Sequence, residues 1–197
     1  MADLLDFFKN MPEWHMVVWL AACIVFCWLL EVLIPQFRFD YNKFKHDAFN
    51  LGIFVMNLVL VAPIALALAM VAVWGESHQV GLLYYVELPV WAELLVAILF
   101  LDLIAQYGVH YLLHHVRWMW RLHIVHHSDT HVDATTATRH HPGDAAFRLV
   151  ASIVAIVVVG IPGLYYLVYR LITPLFGYFT HANIRLPAPL DRLISYV

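Results

Sequence analysis

Long, nearly uncharged apolar stretches dominate this sequence, and they limit its fold more than any motif does. A helix that crosses a bilayer needs roughly 20 mostly apolar residues, because lipid offers the backbone no hydrogen-bond partner. Residues 17–34, 48–74 and 88–107 meet that requirement, and 146–160 is a fourth stretch. A fifth, 164–180, carries Arg170 and Pro174. Pro35 closes the first run, and Pro63 is a kink that a membrane helix tolerates. Ile161-Pro162-Gly163 reads as the turn of a hairpin between the last two. Composition agrees: 63% of the residues are hydrophobic and 13% charged, where soluble domains have about 45–50% and about 25%. The expected fold is an all-α integral membrane bundle of four or five membrane helices, forming a single domain over residues 1–197.

Charge narrows the class and sets an orientation. A net charge of −3 argues against a nucleic-acid partner, which calls for basic patches. Cys23 and Cys27 lie inside an apolar run and read as small buried hydrophobes, with no disulfide framework and no cysteine-based zinc motif. Residues 1–14 contain Asp3, Asp6 and Glu13 and do not read as a cleavable leader. The 35–47 loop has Arg38, Lys43 and Lys45, the segment after the third run has Arg117, Arg121 and Arg139, and the tail has Arg185 and Arg192. The 75–87 loop has no Lys or Arg. Positive loops face the cytoplasm, so the tail and the segment from 108 to 142 are expected on the cytoplasmic side.

That segment holds most of the thirteen histidines. His110 and His114 stand four residues apart in His-Tyr-Leu-Leu-His, and His123, His126 and His127 form His-Ile-Val-His-His. On a helix, such spacings put side chains on one face about 5–6 Å apart. One pair alone is ordinary surface chemistry. Two patterns within eighteen residues, placed just beyond a membrane helix, point to a metal site in a histidine-rich helical cap. Imidazole suits iron, zinc, copper and nickel. His115 falls on another side of the helix and reads as a polar neighbour. His140 and His141 precede Pro142, and one of them completes the site, His141 being the expected ligand. His15, His46 and His78 read as interfacial or loop residues. Asp102 is expected either to accept an N–H from a ligating histidine or to bond another helix; Glu93 reads as facing a headgroup region, and Trp118 and Trp120 as interfacial anchors.

These residues resemble the fatty acid hydroxylase/sterol desaturase family. The likeness rests on His-Tyr-Leu-Leu-His, Arg-Leu-His-Ile-Val-His-His-Ser and Ala-Thr-Thr-Ala-Thr-Arg-His-His-Pro, all within 102–142. Phe179-Thr-His-Ala-Asn-Ile-Arg-Leu-Pro and Leu190-Asp-Arg-Leu, within 179–197, extend it. The resemblance implies a membrane oxidoreductase with two non-haem irons, zinc being a substitute, that hydroxylates or desaturates a lipid-like substrate with O2. It implies that His110 and His114 form the first ligand box, His123, His126 and His127 the second, and His181 a further ligand. No flavin, haem or iron–sulfur motif is visible, so a separate electron-donor protein is expected. Two departures stand out. Tyr111 replaces an Arg common in relatives, and a third His-x-x-His-His box is expected beyond Val197. Without that box the chain is expected to hold metal weakly and not to turn over.

Two other classes compete. A metal-binding or metal-transporting membrane protein would also gather histidines, although transporters place their ligands near the bilayer midplane. A zinc hydrolase would need His-Glu-x-x-His, which is absent.

Overall fold

The structure is a computed structural model that describes residues 7–8, 10–38 and 40–194. Those residues form helices and no strand; an isolated antiparallel bridge pairs Pro35 with Ile184. The long helices are α1 (Glu13–Leu33), α2 (Lys43–Ser77), α3 (Val90–Leu101), α6 (Pro142–Val159) and α7 (Gly163–His181). The short ones are α4 (Val109–His115), α5 (Arg117–His127) and α8 (Ala188–Ile194). Among the described residues, four helical stretches are long and apolar enough to cross a membrane: Trp14–Leu33, Lys43–Tyr85, Val90–His115 and Pro142–Val159. The fifth expected run is the helix α7, which does not reach that standard.

Helix α2 has 35 residues, about 52 Å at 1.5 Å per residue, whereas the hydrocarbon core is about 30 Å thick. Its excess lies at the start, where Lys43, His46, Asp47 and Asn50 replace apolar residues. The third span continues from α3 through a π-helical segment, Asp102–Gly108, into α4. A π turn acts like a one-residue insertion and recurs at functional sites. It also changes the faces: of its two expected roles Asp102 takes the interhelical one, accepting from Tyr169 Oη of α7 at 3.4 Å.

One core joins four helices: Leu68 and Ala72 of α2, Ala97 and Leu101 of α3, Ala155 and Ile156 of α6, and Tyr165 and Tyr169 of α7. Small residues let backbones approach where lipid supplies no hydrophobic drive. Outward faces keep large apolar side chains exposed, among them Val55, Val59, Leu95, Leu99, Val154 and Val158, as a lipid-facing surface requires. The final pair does not pack as a simple hairpin: α6 lies chiefly against α2, and α7 against α1 and α3. Polar bonds explain the choice. Tyr165 Oη donates to Glu93 Oε2 at 2.8 Å, and Tyr169 Oη reaches Asp102, so both carboxylates of the third span draw α7 to it. Glu93, expected to face a headgroup region, is thus an interhelical acceptor. At the end away from the histidines, Gly160 caps α6 with φ 78°, and the backbone of Gly81 packs directly on it, leaving no room for a Cβ.

Candidate metal centre

A single residue brings the two histidine patterns together. Val116 leaves the helical region (φ −95°, ψ 112°), so the chain turns between α4 and α5 and the two short helices pack on each other. Helix α4 carries His110 and His114; α5 carries His123, His126 and His127.

The first group is His110, His114, His123 and His127, each offering a ring nitrogen within 4.8 Å of the others. His114 Nε2 lies 2.9 Å from His110 Nε2 and 3.2 Å from His127 Nε2. Two imidazole nitrogens that share one ion at about 2.0–2.1 Å sit roughly 2.9–3.4 Å apart, for octahedral to tetrahedral angles. A neutral Nε2 is either a donor or an acceptor, so His114 cannot donate to one neighbour while accepting from the other. One cation facing all three lone pairs satisfies them together. His123 is fully buried; its Nδ1 donates to Asp144 Oδ2 at 2.6 Å. Its Nε2 is therefore the unprotonated nitrogen, and it is buried without a hydrogen-bond partner. Such an atom costs about 1–3 kcal/mol if nothing meets it. The Trp120 ring stands 5.3 Å from His114 and 5.4 Å from His127, so this tryptophan walls the group.

A second group adjoins the first. His126 Nε2 lies 3.2 Å from His181 Nε2, and the His140 ring stacks on His126 at 4.7 Å and 9°. His181 Nδ1 donates to the Gly177 carbonyl at 2.8 Å, which leaves its Nε2 lone pair toward His126. His126 is buried, and its Nδ1 has no partner. Burial, then the neighbouring His140, His181, His123 and His127 rings, pushes the His126 pKa down to about 3. Burial and the His123, His114 and His181 rings likewise lower that of His127. Both are neutral at neutral pH, the form a metal requires. The donor set is all imidazole nitrogen, with buried lone pairs unmet, and so fits first-row transition ions.

Of the seven expected ligands, six are brought together: His110, His114, His123 and His127 in one group, His126 and His181 in the other. His141 is placed elsewhere. It is the N-cap of α6, and its Nδ1 accepts from Gly143 N–H at 2.9 Å, a role fixed by Pro142 starting the helix. His140 turns inward instead, held by Asn57 Nδ2 on its carbonyl at 2.6 Å. His115 stacks on Tyr111 at 3.9 Å, away from the site.

A second buried polar cluster sits at the same end of the bundle. Lys43 Nζ lies 2.9 Å from Glu31 and 2.8 Å from Asp133, both fully buried. Tyr41 Oη donates to Asp133 Oδ2 at 2.8 Å and Thr135 Oγ1 to Oδ1 at 2.6 Å. Glu31 Oε1 accepts the backbone N–H of Ala134 at 2.7 Å and of Asn183 at 2.8 Å. His46 Nε2 meets Asp129 at 2.9 Å. This latch fastens the 129–139 loop and the 183 segment to α1 and α2. Burial alone would raise the Asp133 carboxyl, but bonds from Lys43, Thr135 and Tyr41 with the Lys43 charge outweigh it and hold the pKa at about 2. His46, Asp47 and Asp133 have the spacing of a cation site, yet the Lys43 ammonium already fills the cation's part. Sequence reading gave His46 and Glu31 no such role; their adjacency appears only when α1 and α2 pack.

A comparison with family models finds the fatty acid hydroxylase model matching residues 94–196, which is more than half of the chain and contains both histidine groups. No curated protein and no solved structure gives a significant match.

Proposed function

This chain belongs to the fatty acid hydroxylase family of lipid-modifying oxygenases, and on that footing we propose that it is an O2-dependent oxidoreductase with two non-haem irons that hydroxylates or desaturates a lipid-like substrate. The observation that carries the reading is the convergence of His110, His114 and His127 Nε2 atoms beside the buried, unpaired Nε2 of His123. His110, His114, His123 and His127 hold one ion, and His126, His181 and His140 hold the other. When bound, the irons supply O2 activation and the oxidation of an unreactive C–H bond, which side chains cannot perform.

The protein's own residues bind, orient and exclude water. His181 and His123 are fixed in the Nε2-unprotonated tautomer by Gly177 and Asp144, so their lone pairs are presented without rearrangement. Trp120 and the buried faces of α5 restrict water on one side. The centre follows directly on the apolar span Val90–His115, so a lipid chain can reach it sideways from the bilayer. We place this end in the cytoplasm on the lysine and arginine content of its loops, with electrons coming from a separate donor protein that docks there.

Two experiments test the reading. Purified protein carrying the third histidine box expected after Val197, reconstituted with iron and an electron source and given mixed lipids, should consume O2 and yield products heavier by one oxygen or lighter by two hydrogens. Reversible uptake of ions with no O2 use would favour the metal-binding or transport alternative. Cysteines placed at Ser77 and Ser128, both exposed, should label from opposite sides of the membrane, with Ser128 cytoplasmic. The native Cys23 and Cys27 are buried and should stay silent. Labelling of both new cysteines from one side would overturn the orientation.

A further inference from the structure

One buried carboxylate touches the histidine centre. Asp144 stands in the first turn of α6 and is fully buried. Its Oδ2 accepts from His123 Nδ1 at 2.6 Å and from His140 Nδ1 at 3.2 Å. These rings belong to different groups, His123 to the first and His140 to the second. Its Oδ1 accepts from Arg148 Nε at 2.8 Å, and Arg148 Nη1 donates to Gln106 Oε1 at 2.6 Å. Gln106 lies in the π-helical segment, one α turn before His110. A short chain of hydrogen bonds therefore runs from the membrane span, through Arg148 and Asp144, to one ring of each group.

We propose that Asp144 is the shared positioning carboxylate of the centre, fixing the tautomer and ring plane of His123 and His140 together and so coupling the two metal positions. An acidic residue in a first helical turn is common because it meets the positive end of the helix dipole. That role needs neither full burial nor two imidazole partners. A carboxylate on the far nitrogen of a ligating histidine also makes the ring a stronger donor. Both of its imidazole partners are held through Nδ1, which leaves both Nε2 atoms for metal. The segment Asp102–Gly108 gains a purpose as well: its altered register sets Gln106 against Arg148 while His110 and His114 face α5.

This inference rests on the histidines being metal ligands, and the test separates the two ideas. Fe(II) and Co(II) binding to the purified protein are measured by competition with a chelator, with the visible spectrum of bound Co(II) as a second readout. In Asp144→Asn, affinity should fall about 10- to 100-fold, and the Co(II) bands should shift because the His123 and His140 rings are released. Asp144→Glu should recover part of the affinity. Gln106→Ala leaves carboxylate and ligands in place and should weaken binding by a smaller factor, with the same direction of spectral change. If Asp144→Asn does not fold, Gln106→Ala decides: reduced affinity supports the proposal and unchanged affinity overturns it. A folded Asp144→Asn with wild-type affinity and spectrum refutes it while leaving the ligand assignment standing. A wild-type protein that takes up neither ion refutes both.

Discussion

Two polar clusters lie at one end of this bundle, and they are built on opposite rules. In the latch, Glu31, Lys43, Asp133, His46 and Asp129 close a set of charges on one another, with backbone N–H groups of Ala134 and Asn183 on Glu31; its two buried atoms without a hydrogen bond, Glu31 Oε2 and His46 Nδ1, still face opposite charge, Lys43 Nζ at 2.9 Å and Asp133 Oδ2 at 3.1 Å. In the histidine centre ring nitrogens face each other at 2.9–3.2 Å, and His123 Nε2 and His126 Nδ1 are buried without partners. A cluster that satisfies itself fastens chain segments. A cluster whose lone pairs converge on one another suits a bound cation. On that difference we read the first as a structural site and propose the second as a binding site, even though both contain histidines and buried carboxylates.

The contrast breaks most visibly at Lys43. Lys43→Met leaves Glu31 and Asp133 buried with no countercharge and should cost about 3–5 kcal/mol of stability, read as a lower thermal midpoint, while metal per folded chain stays unchanged. A loss of metal proportional to the loss of fold would leave the contrast intact; metal loss in the folded fraction would erase it. His126→Ala and His127→Ala should do the reverse, removing metal with little change in the stability of the chelator-treated protein. His15→Ala and His78→Ala should leave metal content alone. Equal metal loss at all four histidines would point to general misfolding.

Acid should separate the clusters along the pH axis. His126 and His127 have folded values below the unfolded value of about 6.5, so the unfolded state binds more protons. Their contribution in metal-free protein is present above pH 6.5 and falls away toward about 3. Asp133, at about 2 when folded and about 3.9 unfolded, contributes above pH 4 and fails only as pH drops through about 2. Unfolding midpoints of chelator-treated protein should therefore decline in two steps, and His126→Ala should flatten the upper one. The smallest effect sharpens the ligand list. His141→Ala should cost about 1 kcal/mol as a lost helix cap and keep metal, whereas His140→Ala should lose it.

The spans were legible because membrane helices must be apolar throughout, and both histidine patterns because their spacing is local. What escaped depends on register or on tertiary approach. The π segment Asp102–Gly108 is a change in hydrogen-bond register that no side chain announces, and of the two expectations for Asp102 it is the bond to another helix, from Tyr169, that the fold realises. Asp144 could have been suspected as a carboxylate opening an apolar helix right after His-His-Pro, four residues after His140, but its second ring partner, His123, comes from α5 and is met only in the fold. His140 and His141 are adjacent, and only the start of α6 at Pro142 decides which turns inward. Glu31 gains its partner Lys43 only where α1 and α2 pack.

Iron-edge X-ray absorption of the purified, iron-loaded protein tests the central claim most directly. The account predicts a shell of imidazole nitrogens at about 2.0–2.2 Å, with histidine ring scattering, no protein carboxylate bound, and an iron content and spectrum that lose one site's contribution in His126→Ala but are unchanged in Lys43→Met. Carboxylate ligation, or a spectrum unmoved by His126→Ala, would contradict it.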